Sequence, residues 1–128
     1  MNLELYDLII RSAKIGLTLQ NNDGSFPKGH DGPWYYTDTF LRTTAHWALL
    51  ISKAYELTGE KNFEEATIKA CDYLICNKAR PYNLTFHCRA ESSDKDQCNG
   101  LIGQAWVLEA LIVIGQQLKE EKYISVKS

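Results

Sequence analysis

The chain has 128 residues, of which 45% are apolar and 23% are charged, and its formal net charge is −2. This length suits one domain with one modest core, and the dispersed basic residues exclude a nucleic-acid surface, which needs a basic stripe. The N-terminus carries acids where a signal peptide carries positive charge, and no window of about 18 residues is apolar throughout, so we expect a cytoplasmic protein without membrane contact.

The first half of the chain is predicted to form two helices. Apolar residues at helical spacing predict the first from about Leu3 to Gln20, where the stretch LQNNDGSF turns the chain. The second is expected to start near Asp38, with Thr37 or Asp38 as its N-cap, and to stop at Gly59. Glycine is the usual residue at such a stop because it adopts a left-handed backbone conformation without strain.

The second half of the chain is predicted to form two more helices. Asn62 is the expected N-cap of the third helix, which dissolves at NKARPYN. The fourth follows Asn99 and runs to about Glu120. Because β-branched residues do not alternate and no hairpin turn joins two strand-like runs, the predicted fold class is all-α.

The fourth predicted helix is apolar nearly all round. In LIGQAWVLEALIVIG only Gln104 and Glu109 interrupt the apolar run. Such a helix is usually buried on most sides. We therefore expect another part of this protein, or another chain, to cover it.

The connections between the predicted helices differ greatly in length. Helices two and three are joined by TGEK, whereas residues 21–37 and about 78–99 form two long loops. In a series of antiparallel helices, both long loops then lie at the same end. Long loops inside a small domain are usually functional, so this end is the candidate site.

The two halves of the chain resemble each other. Residues 13–26 align with residues 70–86, and Trp47 aligns with Trp106. Each half is a helical hairpin, the first spanning about residues 3–58 and the second about 62–120. Repeats of this length form stacked units that bury their apolar faces against each other.

The motif Q-x-x-D-G-S-F, from Gln20 to Phe26, resembles the turn of α/α-toroid proteins, which include terpene cyclases and six-hairpin glycosidases. Residues 99–106, NGLIGQAW, are similar to the start of an inner helix in sugar-processing toroids. The resemblance implies that residues 1–128 are a partial α/α toroid of two hairpins with a carbohydrate-related function. Complete toroids contain more hairpins, so we expect self-association or a partner chain.

This resemblance implies that the long loops contact an oligosaccharide. Aromatic rings stack on the apolar faces of sugars, arginine binds hydroxyls or uronate carboxylates, and paired carboxylates perform acid–base chemistry at a glycosidic bond. The candidate catalytic residues are Asp31, Asp38 and His46. The candidate substrate-binding residues are Trp34, Tyr35, Tyr36, Arg42, His87 and Arg89.

Each candidate also has a purely structural interpretation. Asp38 and Arg42 are spaced as a surface ion pair on one helix face, and His46 is spaced to pack on that helix. Trp47 and Trp106 occupy equivalent repeat positions, which favours a place in the core. Under these interpretations the chain is a non-catalytic helical scaffold that self-associates or completes a partner's toroid.

The four cysteines form no metal-binding pattern. Cys88 and Cys98 lie near His87, but the chain has no C-x-x-C pair. Cys71 and Cys76 are five residues apart on one predicted helix, which points them in different directions. We expect free thiols, with neither a metal nor another cofactor.

Overall fold

Helices make up the regular secondary structure of this protein. The computed structural model describes residues 1–29, 38–90 and 96–125. The predicted all-α fold is confirmed, since the elements are α1 (Leu3–Leu19), α2 (Leu41–Thr58), α3 (Lys61–Leu74), a 3-10 turn at Pro81–Asn83, α4 (Gly100–Leu118) and α5 (Glu121–Ile124).

The start of α2 differs from its prediction. The helix begins at Leu41, and Asp38 lies in extended backbone that pairs with Arg89 as an antiparallel bridge. The side chain that acts most like an N-cap here is Thr39, since its Oγ1 accepts a hydrogen bond of 3.3 Å from the Leu41 amide. The prediction of Asp38 as N-cap is wrong because a bridge to the second long loop replaces the first helical turn. The alternative cap, Thr37, lies outside the described residues.

The short turn between α2 and α3 confirms one prediction and corrects another. Gly59 ends α2 in a left-handed conformation with a φ of 70°. The N-cap of α3 is Glu60 and not Asn62, which lies inside the first turn. The Asn62 side chain is engaged there, since its Oδ1 accepts a hydrogen bond of 3.1 Å from the Phe63 amide.

The turn that follows α1 is fastened to α3. Gly24 has a φ of 93°, and a Cβ atom at this position would lie 2.0 Å from the carbonyl oxygen of Lys69. The Gln20 side-chain amide donates hydrogen bonds to the carbonyls of Gly24, at 3.0 Å, and Ala66, at 2.9 Å. The turn motif therefore joins the first hairpin to the second.

The same turn is held in shape by Asp23. Its Oδ1 accepts hydrogen bonds from the Ser25 amide, at 3.0 Å, and the Ser25 hydroxyl, at 2.6 Å. These bonds hold the pKa of Asp23 below its ordinary value. The next residue, Phe26, is fully buried, and its amide donates to Thr44 Oγ1 at 2.9 Å. The turn thus delivers an aromatic anchor to α2.

The end of α4 is built like the end of α2. Lys119 and Gly59 both adopt a left-handed conformation directly after their helices, with φ values of 56° and 70°. Four residues further on, Tyr123 and Phe63 are both buried. α5 therefore leaves α4 in the way that α3 leaves α2, with a similar aromatic anchor.

The described residues of this chain bury α4 on one side only, so the expected cover from another part of the protein or from another chain stays a prediction. Val107 and Ile114 are fully buried and mark the face that packs in the core. On another face Leu101 is 90% exposed, Leu108 is 44% exposed and Ile112 is 45% exposed. The described residues of the chain cover one side of this helix and leave an apolar side open.

The length and apolar composition of α4 are relevant to the question of membrane contact. By length and composition Gly100–Leu118 could cross a membrane, and it is the one helix of this kind in the described ranges. The core helix of a soluble protein has the same composition, and one face of α4 does pack in the core. The expectation of a cytoplasmic protein without membrane contact stays a prediction.

Candidate functional site

The two long loops meet at one end of the helices. The Thr39 amide donates a hydrogen bond of 3.0 Å to the Cys88 carbonyl, and the Thr39 hydroxyl donates one of 2.7 Å to the His87 carbonyl. Beside these bonds, Asp38 pairs with Arg89 across the bridge. The predicted meeting of the two loops is confirmed, and it sets the candidate site at the start of α2.

Asp38 and Arg42 form an ion pair in this site. Arg42 donates from Nε, at 2.8 Å, and from Nη2, at 2.5 Å, to Oδ2 of Asp38. The side chain of Asp38 is 3% exposed and that of Arg42 is 24% exposed. The pair is therefore not the surface pair of the structural interpretation. Asp38 is a buried carboxylate that fixes the direction of the arginine, whose side chain is still partly exposed to solvent.

Arg42 leads to an aromatic surface shared by α2 and α4. The central carbon of its guanidinium lies 6.0 Å from the centre of the Trp106 ring. The His46 ring meets the same tryptophan edge-on, with 5.6 Å between ring centres and 85° between planes. Trp106 is half-buried like Trp47, but the half-buried residues that pack against the core include Trp47 and not Trp106. Its interpretation as a core residue is therefore wrong, since it contacts the charged surface at the loop end.

Trp47 has the packing role that the repeat predicted. Its ring stacks on Phe26 with 5.5 Å between centres. A Cβ atom on Gly16 would lie 2.7 Å from the Trp47 ring, so α1 approaches it closely. The two tryptophans occupy equivalent repeat positions but have different neighbours, because hairpin one covers Trp47 and no described hairpin covers Trp106 in the same way.

The environment of His46 favours its neutral form. Burial lowers the pKa of the imidazole first, and the positive charge of Arg42 lowers it further, while Glu109 opposes both. A neutral imidazole can donate one hydrogen bond and accept another. His46 is thus suited to contact hydroxyl groups near neutral pH.

A shallow groove runs beside these residues. Its volume is about 260 Å³, and it is lined by Thr43, His46, Trp47 and Leu50. His46 lines this groove and also contacts Trp106. The groove therefore adjoins the surface of Arg42 and Trp106 and offers apolar walls beside polar groups.

His87 and Arg89 position the second loop at the edge of the site. The His87 amide donates a hydrogen bond of 3.1 Å to the Ala79 carbonyl. Arg89 donates from its amide to the Gln97 carbonyl, at 2.9 Å, and from Nη1 to the Asp96 carbonyl, at 3.1 Å. The structure brings both residues to the predicted end, where their backbone bonds shape the loop.

The remaining predicted site residues cannot be compared with the structure. Asp31, Trp34, Tyr35 and Tyr36 lie outside the described residues. Their assignment as an acid–base group and a stacking platform stays a prediction.

The cysteines and histidines do not gather around a metal site. Across residues 1–29, 38–90 and 96–125, no group of three histidine, cysteine or acidic side chains could hold a metal ion. All four cysteines are free thiols. Burial raises the pKa of Cys71 to about 12 and that of Cys88 to about 11, so both remain protonated near neutral pH.

Comparison with known proteins adds a relative that is longer than this chain. A protein named archaeal glycosylation protein Q, from Haloferax volcanii, is 45% identical over 122 residues. The match covers 95% of this chain and 33% of the relative, so the chain spans about a third of the relative's length. No family model matches the sequence, and no solved structure is similar to it.

Two residues of α4 were missed by the sequence-based assignment of the site. Trp106 supplies the aromatic surface. Gln104 fastens the second loop to α4, since it donates to the Phe86 carbonyl and accepts from the Phe86 amide, both at 2.8 Å. Both residues belong to the GQAW sequence, so that motif contained a signal for the site as well as for a helix start.

Proposed function

We propose that this chain is a glycan-contacting module of a protein that acts in glycosylation, and that it is built as part of an α/α toroid. The name of the relative supports the glycosylation role. The observation that carries the proposal is the surface formed by the half-buried Arg42 and Trp106 and the exposed His46 where the two long loops meet. The α/α-toroid part of the proposal is supported by the sequence resemblance and by the packing of the two helical hairpins on each other.

The chemistry of this surface suits an acidic sugar. A tryptophan ring offers an apolar face for a pyranose, and a guanidinium held in place by Asp38 brings a positive charge that attracts a uronate carboxylate. Because the ion pair fixes the arginine before a ligand arrives, little side-chain entropy is lost on binding. His46, in its neutral form, adds a contact for a hydroxyl group.

The glycan proposal is tested by titrating the chain with oligogalacturonides while following the Trp106 indole signal by NMR. We expect this signal to shift and Arg42→Gln to weaken binding by about tenfold, the value of one charge-assisted contact. Arg11→Gln is the matched control, since Arg11 also pairs with an aspartate four residues away but lies on exposed α1. This control should bind like the unchanged chain.

Two results would overturn the proposal. One is the absence of any shift of the Trp106 signal at millimolar oligogalacturonide. The other is an equal effect of the Arg42 and Arg11 substitutions, which would indicate non-specific attraction between charges. Neutral oligosaccharides of the same length show whether the carboxylate is what the site recognises.

A non-catalytic helical scaffold is the second candidate function. The apolar side chains exposed on α1 and α4 favour it, since a contiguous apolar surface usually marks an interaction site. This function needs no glycan and predicts association through those helices.

A further inference from the structure

Two segments of the second long loop lie side by side at the start of α4. The Arg89 amide donates a hydrogen bond of 2.9 Å to the Gln97 carbonyl. The side-chain nitrogen of Gln104 donates to the carbonyl of Phe86, at 2.8 Å, and to the carbonyl of Cys98, at 3.1 Å. One residue of α4 therefore holds both segments together. We call residues 85–89 the incoming leg of the loop and residues 96–99 its outgoing leg.

This arrangement places Cys88 next to Cys98. Cys88 precedes Arg89 and Cys98 follows Gln97, so the two cysteines flank the hydrogen bond that joins the legs. Opposed residues of antiparallel segments have Cα atoms about 4.5–5.5 Å apart, a spacing that a disulfide can span. The backbone thus brings two thiols together that are ten positions apart in the sequence.

Gly103 leaves the space in which the two residues meet. A Cβ atom at Gly103 would lie 2.1 Å from the Cys98 carbonyl oxygen and 3.1 Å from the Cys88 sulfur. The Cys88 sulfur therefore lies beside the backbone of Cys98, and it donates a hydrogen bond of 3.4 Å to the Gly103 carbonyl. The Cys98 thiol donates to Thr85 Oγ1 at 3.0 Å. Rotation about the Cα–Cβ bond of Cys98 is the movement that turns its sulfur from Thr85 to Cys88.

The two thiols differ in their access to solvent. Cys88 is 2% exposed, whereas Cys98 is half-buried. Because thiol–disulfide exchange depends on access, a small disulfide from solvent meets Cys98 first. Cys88 then needs to meet only a sulfur that is already held beside it.

We propose that Cys88 and Cys98 form a disulfide when the protein meets an oxidised low-molecular-weight thiol, such as glutathione disulfide, and that this bond stiffens the candidate site. The Cys98 thiolate attacks one sulfur of the oxidant, which leaves a mixed disulfide on Cys98 and releases one thiolate. The Cys88 sulfur attacks the Cys98 sulfur and releases the second thiolate, and the two released thiolates take up the protons of the cysteines. Two cysteine thiols are thereby oxidised to a disulfide, and the oxidant is reduced to two thiols.

The bond acts on the candidate site through the incoming leg. The Cys88 carbonyl accepts the hydrogen bond of the Thr39 amide, and Arg89 forms the bridge to Asp38, which holds Arg42. A disulfide removes the conformations in which the two legs separate, so these bonds open less often. The proposal concerns the loop and does not depend on glycan binding.

The test uses the unchanged chain and glutathione disulfide at pH about 8, where exposed thiols react. We expect a product that is lighter by two hydrogen atoms and, after digestion without reductant, a peptide pair linked through Cys88 and Cys98. A thiol reductant should reverse both changes.

Hydrogen exchange followed by NMR measures the effect on the site. The Thr39 amide should exchange about tenfold more slowly in the oxidised protein than in the reduced protein. The Gly59 amide is the control within the chain, since it donates to the Tyr55 carbonyl in the short turn at the other end of the helices. Its exchange rate should stay the same.

Cys98→Ser and Cys76→Ser are matched variants, since each removes one half-buried thiol. Cys76→Ser should still form the linked peptide pair and slow the Thr39 amide, whereas Cys98→Ser should do neither. Cys88→Ala should retain a glutathione adduct on Cys98, because no neighbouring sulfur displaces it. If Cys88→Ala does not fold, peptide mapping of the unchanged chain and of Cys98→Ser decides the same question.

Three outcomes would overturn the proposal. A stable glutathione adduct on Cys98 beside a free Cys88 thiol, in the unchanged chain, shows that the two sulfurs do not meet. A Cys88–Cys98 link that forms only in urea shows that the folded chain keeps them apart. A linked protein whose Thr39 amide exchanges at the original rate shows that the bond does not act on the candidate site. The oligogalacturonide titration is performed on the reduced chain, so the two proposals fail separately.

Discussion

Replacing Gly24 by alanine should separate the two hairpins. Its φ of 93° is unfavourable for alanine, and the new Cβ would lie 2.0 Å from the Lys69 carbonyl oxygen. This oxygen belongs to the backbone of α3, so the turn must move away from the helix. That movement breaks the hydrogen bond from Gln20 to Ala66 and loosens the burial of Phe26.

The size of this effect follows from its parts. The left-handed conformation costs an alanine about 1–2 kcal/mol. Losing the Gln20 hydrogen bond adds about 1 kcal/mol, and partial exposure of Phe26 adds about 1 kcal/mol more. We therefore expect Gly24→Ala to lower the free energy of unfolding by about 3–4 kcal/mol, a large fraction of the stability of a small domain.

Gly59 provides the matched control for this substitution. It has a φ of 70°, but nothing lies within 4 Å of the position that a Cβ atom would take. Gly59→Ala should therefore lose only the conformational part, about 1–2 kcal/mol. Urea denaturation followed by circular dichroism measures the free energy of unfolding of both variants. The comparison holds when this free energy falls with urea concentration at the same slope in each variant. If the two losses agree within about 0.5 kcal/mol, the docking of the turn on α3 contributes nothing and our reasoning is refuted.

Three further predictions concern charge and thiol chemistry. Asp38→Asn should lower the free energy of unfolding, measured by urea denaturation, by about 2 kcal/mol. This loss is smaller than for a fully buried ion pair because Arg42 is 24% exposed. A loss below about 0.5 kcal/mol would contradict a buried pair. The His46 imidazole should titrate below its ordinary pKa of 6.5 by NMR, and Arg42→Gln should raise that pKa by removing a positive neighbour. Since the folded state then binds fewer protons than the unfolded state, His46 makes the free energy of unfolding fall as the pH drops below 6.5. A midpoint of the imidazole titration at or above pH 6.5 would contradict this. At pH about 8, Cys71 and Cys88 should react with a disulfide reagent far more slowly than the other two thiols, and equal rates in the native protein would show that burial does not protect them.

Local sequence signals predicted the helices well. α1 ends one residue before the predicted Gln20, and α2 stops before Gly59 as expected, because apolar spacing and a left-handed glycine act within a few residues. The start of α2 was predicted three residues too early. Asp38 has the chemistry of an N-cap, but its backbone pairs with Arg89, which is distant in sequence.

The sequence by itself determined the all-α class and the end at which the long loops meet, since these follow from spacing and from the lengths of the connections. Tertiary structure decided which side chains form the candidate surface. It buried Asp38 against Arg42, packed Trp47 against Phe26 and the core, and placed the equivalent Trp106 beside Arg42 and His46. It also left one apolar side of α4 open, because the composition of a helix records how apolar it is but not which neighbour covers it.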